Sequence, residues 1–362
     1  MNPILSSSVS VIKINENILE FFKSNTRQQV RIKINEGIIV DIISSLDGTK
    51  SIEEISDRYG VDIEQLKKLL NFLSNKGILN HIIPSDDFYK YTKYRRIINF
   101  LADYSTSHKH LVSMWNNIRS STVVIVGLGA VGTWVACNLI QSGLENIVLM
   151  DNDIVEISNL HRQFGFKEKF IGEKKIDVLE KKLKEYNPDV KVTKIYSFLD
   201  KNTVSIFDNI ENINLIINCA DKPNVDTTSL IIGEYCMKRK IPHIVGGGYN
   251  LHLSLIGQTI IPNRSACVKC FEKKLKEENK IDPNRVKKLN VKNRKIGSFG
   301  PMCAIISSMV GMEAIKVLSN SIIPANLNRR GEFDILKMDI KYKNFKKIDD
   351  CEWCGKNGKY NY

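Results

Sequence analysis

Three glycines, Gly127, Gly129 and Gly132, punctuate the run VVIVGLGAVG at 123–132. Four β-branched residues predict a buried strand, and the G-x-G-x-x-G spacing predicts a tight turn into an apolar helix. Such a turn lets the backbone approach a phosphate, whose charge meets the amides opening the helix. Asp151 stands nineteen positions after Gly132, where an acid grips ribose hydroxyls in nucleotide-binding sheets. Arg162, in the run NLHRQ (159–163), and Lys175 offer a planar fork and a point charge. Together they suit a triphosphate and a departing pyrophosphate. Asp221 closes the apolar run INLIINCAD, and a carboxylate beside phosphates usually holds Mg²⁺. Its alternative is a helix N-cap, an ordinary place for Asp before Lys-Pro. Cys267/Cys270 and Cys351/Cys354 form two C-x-x-C pairs, with Cys351 81 positions beyond Cys270. Four thiolates fit a closed, structural Zn²⁺ site that pins the C-terminal tail to the core. A redox dithiol is the alternative for either pair.

The glycine run with Asp151 would also serve a nicotinamide dinucleotide. Arg162, Lys175, Asp221 and the paired cysteines argue against that, because hydride transfer requires neither a phosphate clamp nor an acid beside it.

These residues need a scaffold, and from Ser121 onward strand and helix patterns alternate, which predicts an α/β fold with a Rossmann-like sheet flanked by helices. The predicted strands are VVIVG, ENIVLMD, KVTKIYSF, INLIINCAD and PHIVGGG. LSLIGQTIIP reads as a further strand or hairpin, and FDILKMDIK as a late strand. Helices are predicted through Gln141, over 174–186 and over 226–239, and PMCAIISSMVGMEAIKVL (301–318) as a buried helix under the site. Residues 8–84 predict a separate winged-helix-like α+β module: strands SVIKI and VRIKI, an apolar helix stopped at Gly48, two further helices and the strand ILNHI. Ser51 and Glu54 form a capping box for the second helix, and Asp62 caps the third. Residues 85–119 read as a linker and a helix.

The charge is uneven. The chain of 362 residues carries +13 overall, yet residues 1–84 hold ten basic and ten acidic residues. Duplex binding draws most of its affinity from neutralised phosphates, so a neutral module argues against nucleic acid. The excess gathers in Lys269–Lys295, where eleven basic residues face four acidic ones, a mobile loop or a surface helix. No run approaches ~20 consecutive apolar residues, so no membrane span is expected. The first residues lack a basic region leading into an apolar run, and the cytoplasm is the expected location.

Taken together, GLGAVG, Asp151-x-Asp153, NLHRQ, the Gly172–Lys175 spacing, INCAD and the paired C-x-x-C resemble the ThiF/MoeB superfamily, which includes ubiquitin-activating enzymes. The resemblance covers roughly residues 93–358. It implies ATP-dependent activation of a carboxylate as an acyl-adenylate. By position it puts Gly127, Gly129 and Gly132 on the phosphates and Asp151 on the ribose. Asn159, Arg162, Gln163 and Lys175 then contact the triphosphate, and Asp221 is the essential acid near Mg²⁺. It also implies a homodimer in which an arginine of a short R-Y-x-R motif reaches the partner's site. Here the motif reads Lys93-Tyr94-Arg95-Arg96, so Arg96 takes that role, with Arg95 as its rival. The run LDGTKSIEEISDRYG (46–60) resembles PqqD-like peptide-recognition domains, which add a leader peptide as an extra strand. The domains are therefore expected as peptide recognition (1–84), linker and helix (85–119) and adenylation with a zinc-binding tail (120–362). The fusion, with A-D-x-P at 220–223, resembles microcin-type peptide adenylyltransferases. The expected function is activation of a ribosomal peptide's carboxylate, using ATP, Mg²⁺ and Zn²⁺. Sulfur-carrier activation for thiamine or molybdopterin, and a non-catalytic leader-presenting partner of a cyclodehydratase, are the alternatives.

Overall fold

The computed structural model describes residues 2–35, 37–82, 92–246, 248–250, 253–279 and 297–361. The chain divides into two compact units, Met1–Asn116 and Asn117–Tyr362.

The first unit opens with β1 (Asn2–Leu5), followed by the antiparallel meander β2 (Val9–Asn15), β3 (Ile18–Lys23) and β4 (Gln28–Lys33). Helices α1 (Ile38–Ser44), α2 (Ile52–Tyr59) and α3 (Ile63–Asn75) follow, and β5 (Leu79–Ile82) returns antiparallel to β1. Helices α4 (Arg95–Ala102) and α5 (His108–Ser120) lead out of the unit. The expected strands are β2, β4 and β5, and β1 and β3 are additions to them. β3 turns Leu19 and Phe21 into the core with Ile43, Ile55, Leu70 and Leu73. Between them Glu20 is nearly buried, and it accepts a hydrogen bond at 2.7 Å from its cross-strand partner Arg31. The first helix ends at Ser44, short of Gly48, because Leu46 and Asp47 turn back against β1. The capping box is present, with Ser51 accepting from the Glu54 amide and Glu54 from the Ser51 amide. Asp62 caps α3 by accepting from the Gln65 amide at 2.9 Å.

The second unit continues with β6 (Thr122–Val126), α6 (Ala130–Gln141), β7 (Asn146–Met150), α7 (Lys175–Tyr186), β8 (Lys191–Ile195), β9 (Ile213–Asn218), α8 (Val225–Arg239) and β10 (His243–Val245). Then come β11 (Gly248–Asn250), β12 (Leu253–Ile256), β13 (Thr259–Ile260), α9 (Val268–Asn279), α10 (Gly300–Ser319), β14 (Arg329–Asp334) and β15 (Asp339–Asn344). The main sheet has the order β13-β10-β9-β6-β7-β8, parallel except for β13. This is the expected Rossmann-like α/β sheet flanked by helices. β6 is central, and Val123–Val126 are buried, as a strand covered on both faces requires.

α10 packs on α6 through its small residues: Ser307 donates to the Val131 carbonyl at 3.2 Å, and Gly311 faces Asn138. α10 is also long and apolar enough to cross a membrane by length and composition, and 61% of its apolar window is buried.

Two runs, one expected as a strand or hairpin and the other as a strand, are each divided. LSLIGQTIIP splits into β12, in an antiparallel sheet β11-β12-β14-β15, and β13, in the main sheet. Gly257 makes the break; a Cβ there would lie 1.9 Å from the Val245 carbonyl oxygen. FDILKMDIK is the end of β14, a turn through Met338 at φ 51°, and the start of β15. Of the basic stretch, 268–279 is α9, and 280–296 lies outside the described residues, as does the start of the 85–119 linker through residue 91.

Candidate active site

The chain runs from β6 outward through β7 to β8, then returns to place β9 on the other side of β6. Such a reversal opens a crevice at the carboxyl ends of the central strands, where ligands of these sheets bind. A cavity of about 1070 Å³ occupies it, lined entirely by residues of the second unit between Val126 and Ser298. That is just above the usual size for a small-molecule site, roughly 300–1,000 Å³.

The three glycines have three different reasons to be glycine. Gly127 has φ 88°, and its missing Cβ lets the turn lie against the backbone of Cys219 and Ala220 at the end of β9. At Gly132 a Cβ would lie 2.0 Å from the Gly127 carbonyl oxygen, so the helix could not start there. At Gly129 a Cβ would meet nothing within 4 Å: this position faces the open cavity. Gly129 is also the N-cap of α6 and offers no side chain to its first amides, which are left for an anion.

Asp151 fixes this turn to the neighbouring strand. Its carboxylate accepts from the Leu128 amide at 2.6 Å and the Asp153 amide at 2.7 Å, and it lines the cavity. Across the cavity runs the turn 157–163. Asn159 is buried and closes that turn by accepting from the Glu156 amide at 3.0 Å. The Arg162 backbone carbonyl is held by the Trp134 indole at 3.2 Å, and Trp134 stacks on Phe164. The Arg162 guanidinium touches the Ser158 carbonyl and His161, but its Nε is buried without a hydrogen-bond partner. Gln163 Oε1 is in the same condition, on a side chain only 5% exposed. Buried polar groups are normally satisfied, so two orphans beside one cavity fit a ligand that completes them.

Lys175, the first residue of α7, is 4% exposed and lies 3.2 Å from Asp153. Burial would raise the Asp153 carboxyl, but Lys175 and Lys222 outweigh it and hold the group below the ordinary carboxylate value. Asp221 is exposed at the cavity, just beyond β9. It does not cap α8; Asn224 does, accepting from the Thr227 amide at 2.8 Å. An exposed carboxylate without a capping duty suits Mg²⁺. Two lining residues went without a role in the sequence reading, Asp153 and Lys222, although both sit inside quoted motifs. Lys222 could have been found from its adjacency to Asp221.

Arg96 belongs to the first unit, on the exposed side of α4. Cys219 lines the second unit's cavity, and Cys303 lies 3.3 Å from the hydroxyl of a lining residue, Ser298. Burial, with Asp221 adding to it, pushes the Cys219 thiol up to about 12. Cys303 is buried in α10 and raised by the same cause, with Ser298 and Arg162 opposing it. Both shifts favour the thiol over the thiolate.

The four paired cysteines converge. Their sulfurs all lie within 4.8 Å of one another and are buried, with separations of 3.9 Å (267–270), 3.6 Å (267–351) and 3.3 Å (270–354). A tetrahedron of Zn–S bonds of ~2.3 Å has edges of ~3.8 Å, so the set fits Zn²⁺. The Ile348 amide donates to Cys270 Sγ at 3.4 Å, the kind of outer contact that steadies a thiolate ligand. Gly355 makes the second pair possible, since a Cβ there would lie 2.5–2.6 Å from the backbone of Asp349 and Cys351. Part of the basic excess is spent here: Lys269 and Lys273 on α9 pair with Glu352 and Asp350.

A model of the ThiF family matches residues 99–354. The chain belongs to the ThiF family. It is 25% identical over 238 residues to the molybdopterin-synthase adenylyltransferase of Escherichia coli K12, a match covering 66% of this chain and 88% of the relative. It is 27% identical over 246 residues to the adenylyltransferase and sulfurtransferase UBA4 of Lodderomyces elongisporus, and there it spans 50% of the relative's length and 66% of its own. Among solved structures, E. coli MccB with AMPCPP and MccA superposes with a TM-score of 0.75 at 20% identity, covering 98% of this chain and 100% of that one. This likeness extends the shared fold through the first unit. The protein is thus a ThiF-family adenylyltransferase, an ATP-using enzyme.

Proposed function

We propose that this ThiF-family adenylyltransferase activates a carboxylate of a ribosomally made peptide as an acyl-adenylate in peptide natural product biosynthesis. The observation that carries the reading is that one chain holds both the cavity and the first unit. The fold of MccB, a protein whose structure holds AMPCPP and MccA, covers both. In the first unit, β2 and β4 are outer strands of their sheet, and Val11, Ile12 and Ile14 of β2 are exposed. An open edge beside apolar side chains suits an added peptide strand.

The substrate carboxylate is already a nucleophile at neutral pH, so no general base is required. One of its oxygens attacks the α-phosphorus, the bond to the bridging oxygen breaks, and pyrophosphate leaves. The protein must hold two anions together and stabilise charge on the phosphates. The α6 amides and the Gly127–Gly132 turn receive the phosphates, Arg162 and Lys175 neutralise them, and Asn159 and Gln163 complete the shell. Asp151 keeps lone pairs for the ribose. Asp221 would hold Mg²⁺, which supplies positive charge to the phosphate oxygens. In a homodimer, Arg96 of a second copy would add a further cation. Zn²⁺ on the four cysteines is structural, and the enzyme works in the cytoplasm without nucleic acid or membrane as partner.

A second reading, activation of a sulfur-carrier protein, is favoured by the match to the molybdopterin-synthase enzyme. That match covers 66% of this chain and gives the first unit no duty. The test is pyrophosphate release and product mass with ATP, Mg²⁺ and either a short peptide encoded by a neighbouring gene or a sulfur-carrier protein. Peptide-dependent release with an adenylylated peptide mass is expected. Release only with the carrier overturns the reading.

A further inference from the structure

Lys222 crosses the mouth of the crevice. It stands beyond the end of β9, and its Nζ lies 3.1 and 3.2 Å from the two carboxylate oxygens of Asp153, which follows β7. Strand β6 lies between β9 and β7, so this ion pair spans the end of β6, where Gly127 turns into the glycine loop. All of these residues line the one cavity.

Asp153 is shared. Lys175 approaches the same carboxylate at 3.2 Å, so one negative charge serves two cations. The two differ in freedom. The Lys175 side chain is 5% exposed and anchored at the start of α7, whereas that of Lys222 is 64% exposed. An arriving triphosphate carries several negative charges and competes with Asp153 for both. Lys222 can change partner with little desolvation and no movement of a buried group. Its attachment beside Asp221 keeps it over the glycine loop when it does so.

The geometry points to Lys222 as a third phosphate-binding cation, held on Asp153 in the free protein and transferred to the terminal phosphates of ATP on binding. This rests on the ATP-dependent reading above and adds to it a residue and an exchange of partners. Lys222 then stays with pyrophosphate as it leaves, while Arg162 and Lys175 keep their places.

The test is equilibrium binding of AMPCPP and of AMP, without peptide, to the full chain and its Lys222→Gln and Lys222→Arg variants. Lys222→Gln removes a charge-assisted contact and should weaken AMPCPP about ten-fold or more. AMP, which lacks the terminal phosphates, should change less than about two-fold, and Lys222→Arg should restore most of the loss for AMPCPP. Equal loss for both nucleotides would make Lys222 a scaffold residue and overturn the proposal. Unchanged nucleotide binding would overturn it too, leaving a surface ion pair, or a cation for the substrate carboxylate if only the peptide KM rises. Failure of the wild-type protein to bind AMPCPP would sink the ATP-dependent reading along with it.

Discussion

Cys267, Cys270, Cys351 and Cys354 are buried and have one another, whereas the crevice at the ends of β6, β7 and β9 is lined by groups that lack partners or share them. Both sites stand in the second unit. In the cluster the four sulfurs lie within 4.8 Å of one another, and an ion bound by all four would have no position left for a substrate. In the crevice, Arg162 Nε and Gln163 Oε1 are orphaned, Asp221 is exposed and Asp153 is divided between two lysines. The difference separates stability from chemistry. A site completed by its own residues holds the fold together, and a site left incomplete is completed by substrate.

The largest change is expected at the cysteine cluster. Cys351→Ser should abolish zinc binding and lower Tm by ~10 °C or more, because metal binding of this type is folding free energy. Elemental analysis and a thermal melt with and without a chelator check it. One zinc per chain is expected in the wild type.

Gly132→Ala and Gly129→Ala sharpen the contrast inside one loop. The first places a Cβ 2.0 Å from a carbonyl oxygen and should cost ~1–3 kcal/mol of stability or more. The second meets no atom within 4 Å, so Tm should hold within ~1 °C. Its methyl group enters the space proposed for phosphate, and ATP affinity should fall about ten-fold. Denaturant melts and nucleotide titrations separate the two. Weak ATP binding and low Tm in both variants would show that the loop is only structural.

A smaller effect comes from a group in neither site. Burial pushes the His243 imidazole on β10 down to about 4, against an ordinary 6.5, with the Ile241 carbonyl opposing weakly. Between those values the unfolded chain takes up a proton that the folded protein refuses. His243 therefore costs no stability above about pH 6.5, and stability is lost as pH falls from there toward 4. The Tm of His243→Leu should decline less steeply from pH 7 to 5 than that of the wild type; parallel declines would contradict this.

The parts of the molecule set by local rules were legible in the sequence. VVIVGLGAVG predicted β6, its turn and α6, because a two-face-buried strand and a phosphate turn each leave a short signature. The paired cysteines predicted their convergence, since spacing within each pair is itself ligand geometry. Long-range pairing was not legible. Nothing local in LSLIGQTIIP says that its halves join different sheets; that is decided by Gly257 against the Val245 backbone. β3 was missed because its buried Glu20 interrupts the apolar pattern, and its partner Arg31 lies on the next strand. In the crevice, the residues were legible but their pairings were not: Lys222 meets Asp153 across 69 positions and the width of β6.

Peptide-dependent exchange of labelled pyrophosphate into ATP tests adenylate formation and the part Asp221 plays in it. The wild-type protein should exchange only with ATP, Mg²⁺ and its peptide together. Asp221→Ala should lose exchange by at least ~100-fold, as removal of transition-state charge stabilisation does, with an unchanged Tm. Full exchange by Asp221→Ala, or none by a wild-type protein that binds the peptide, would contradict the account.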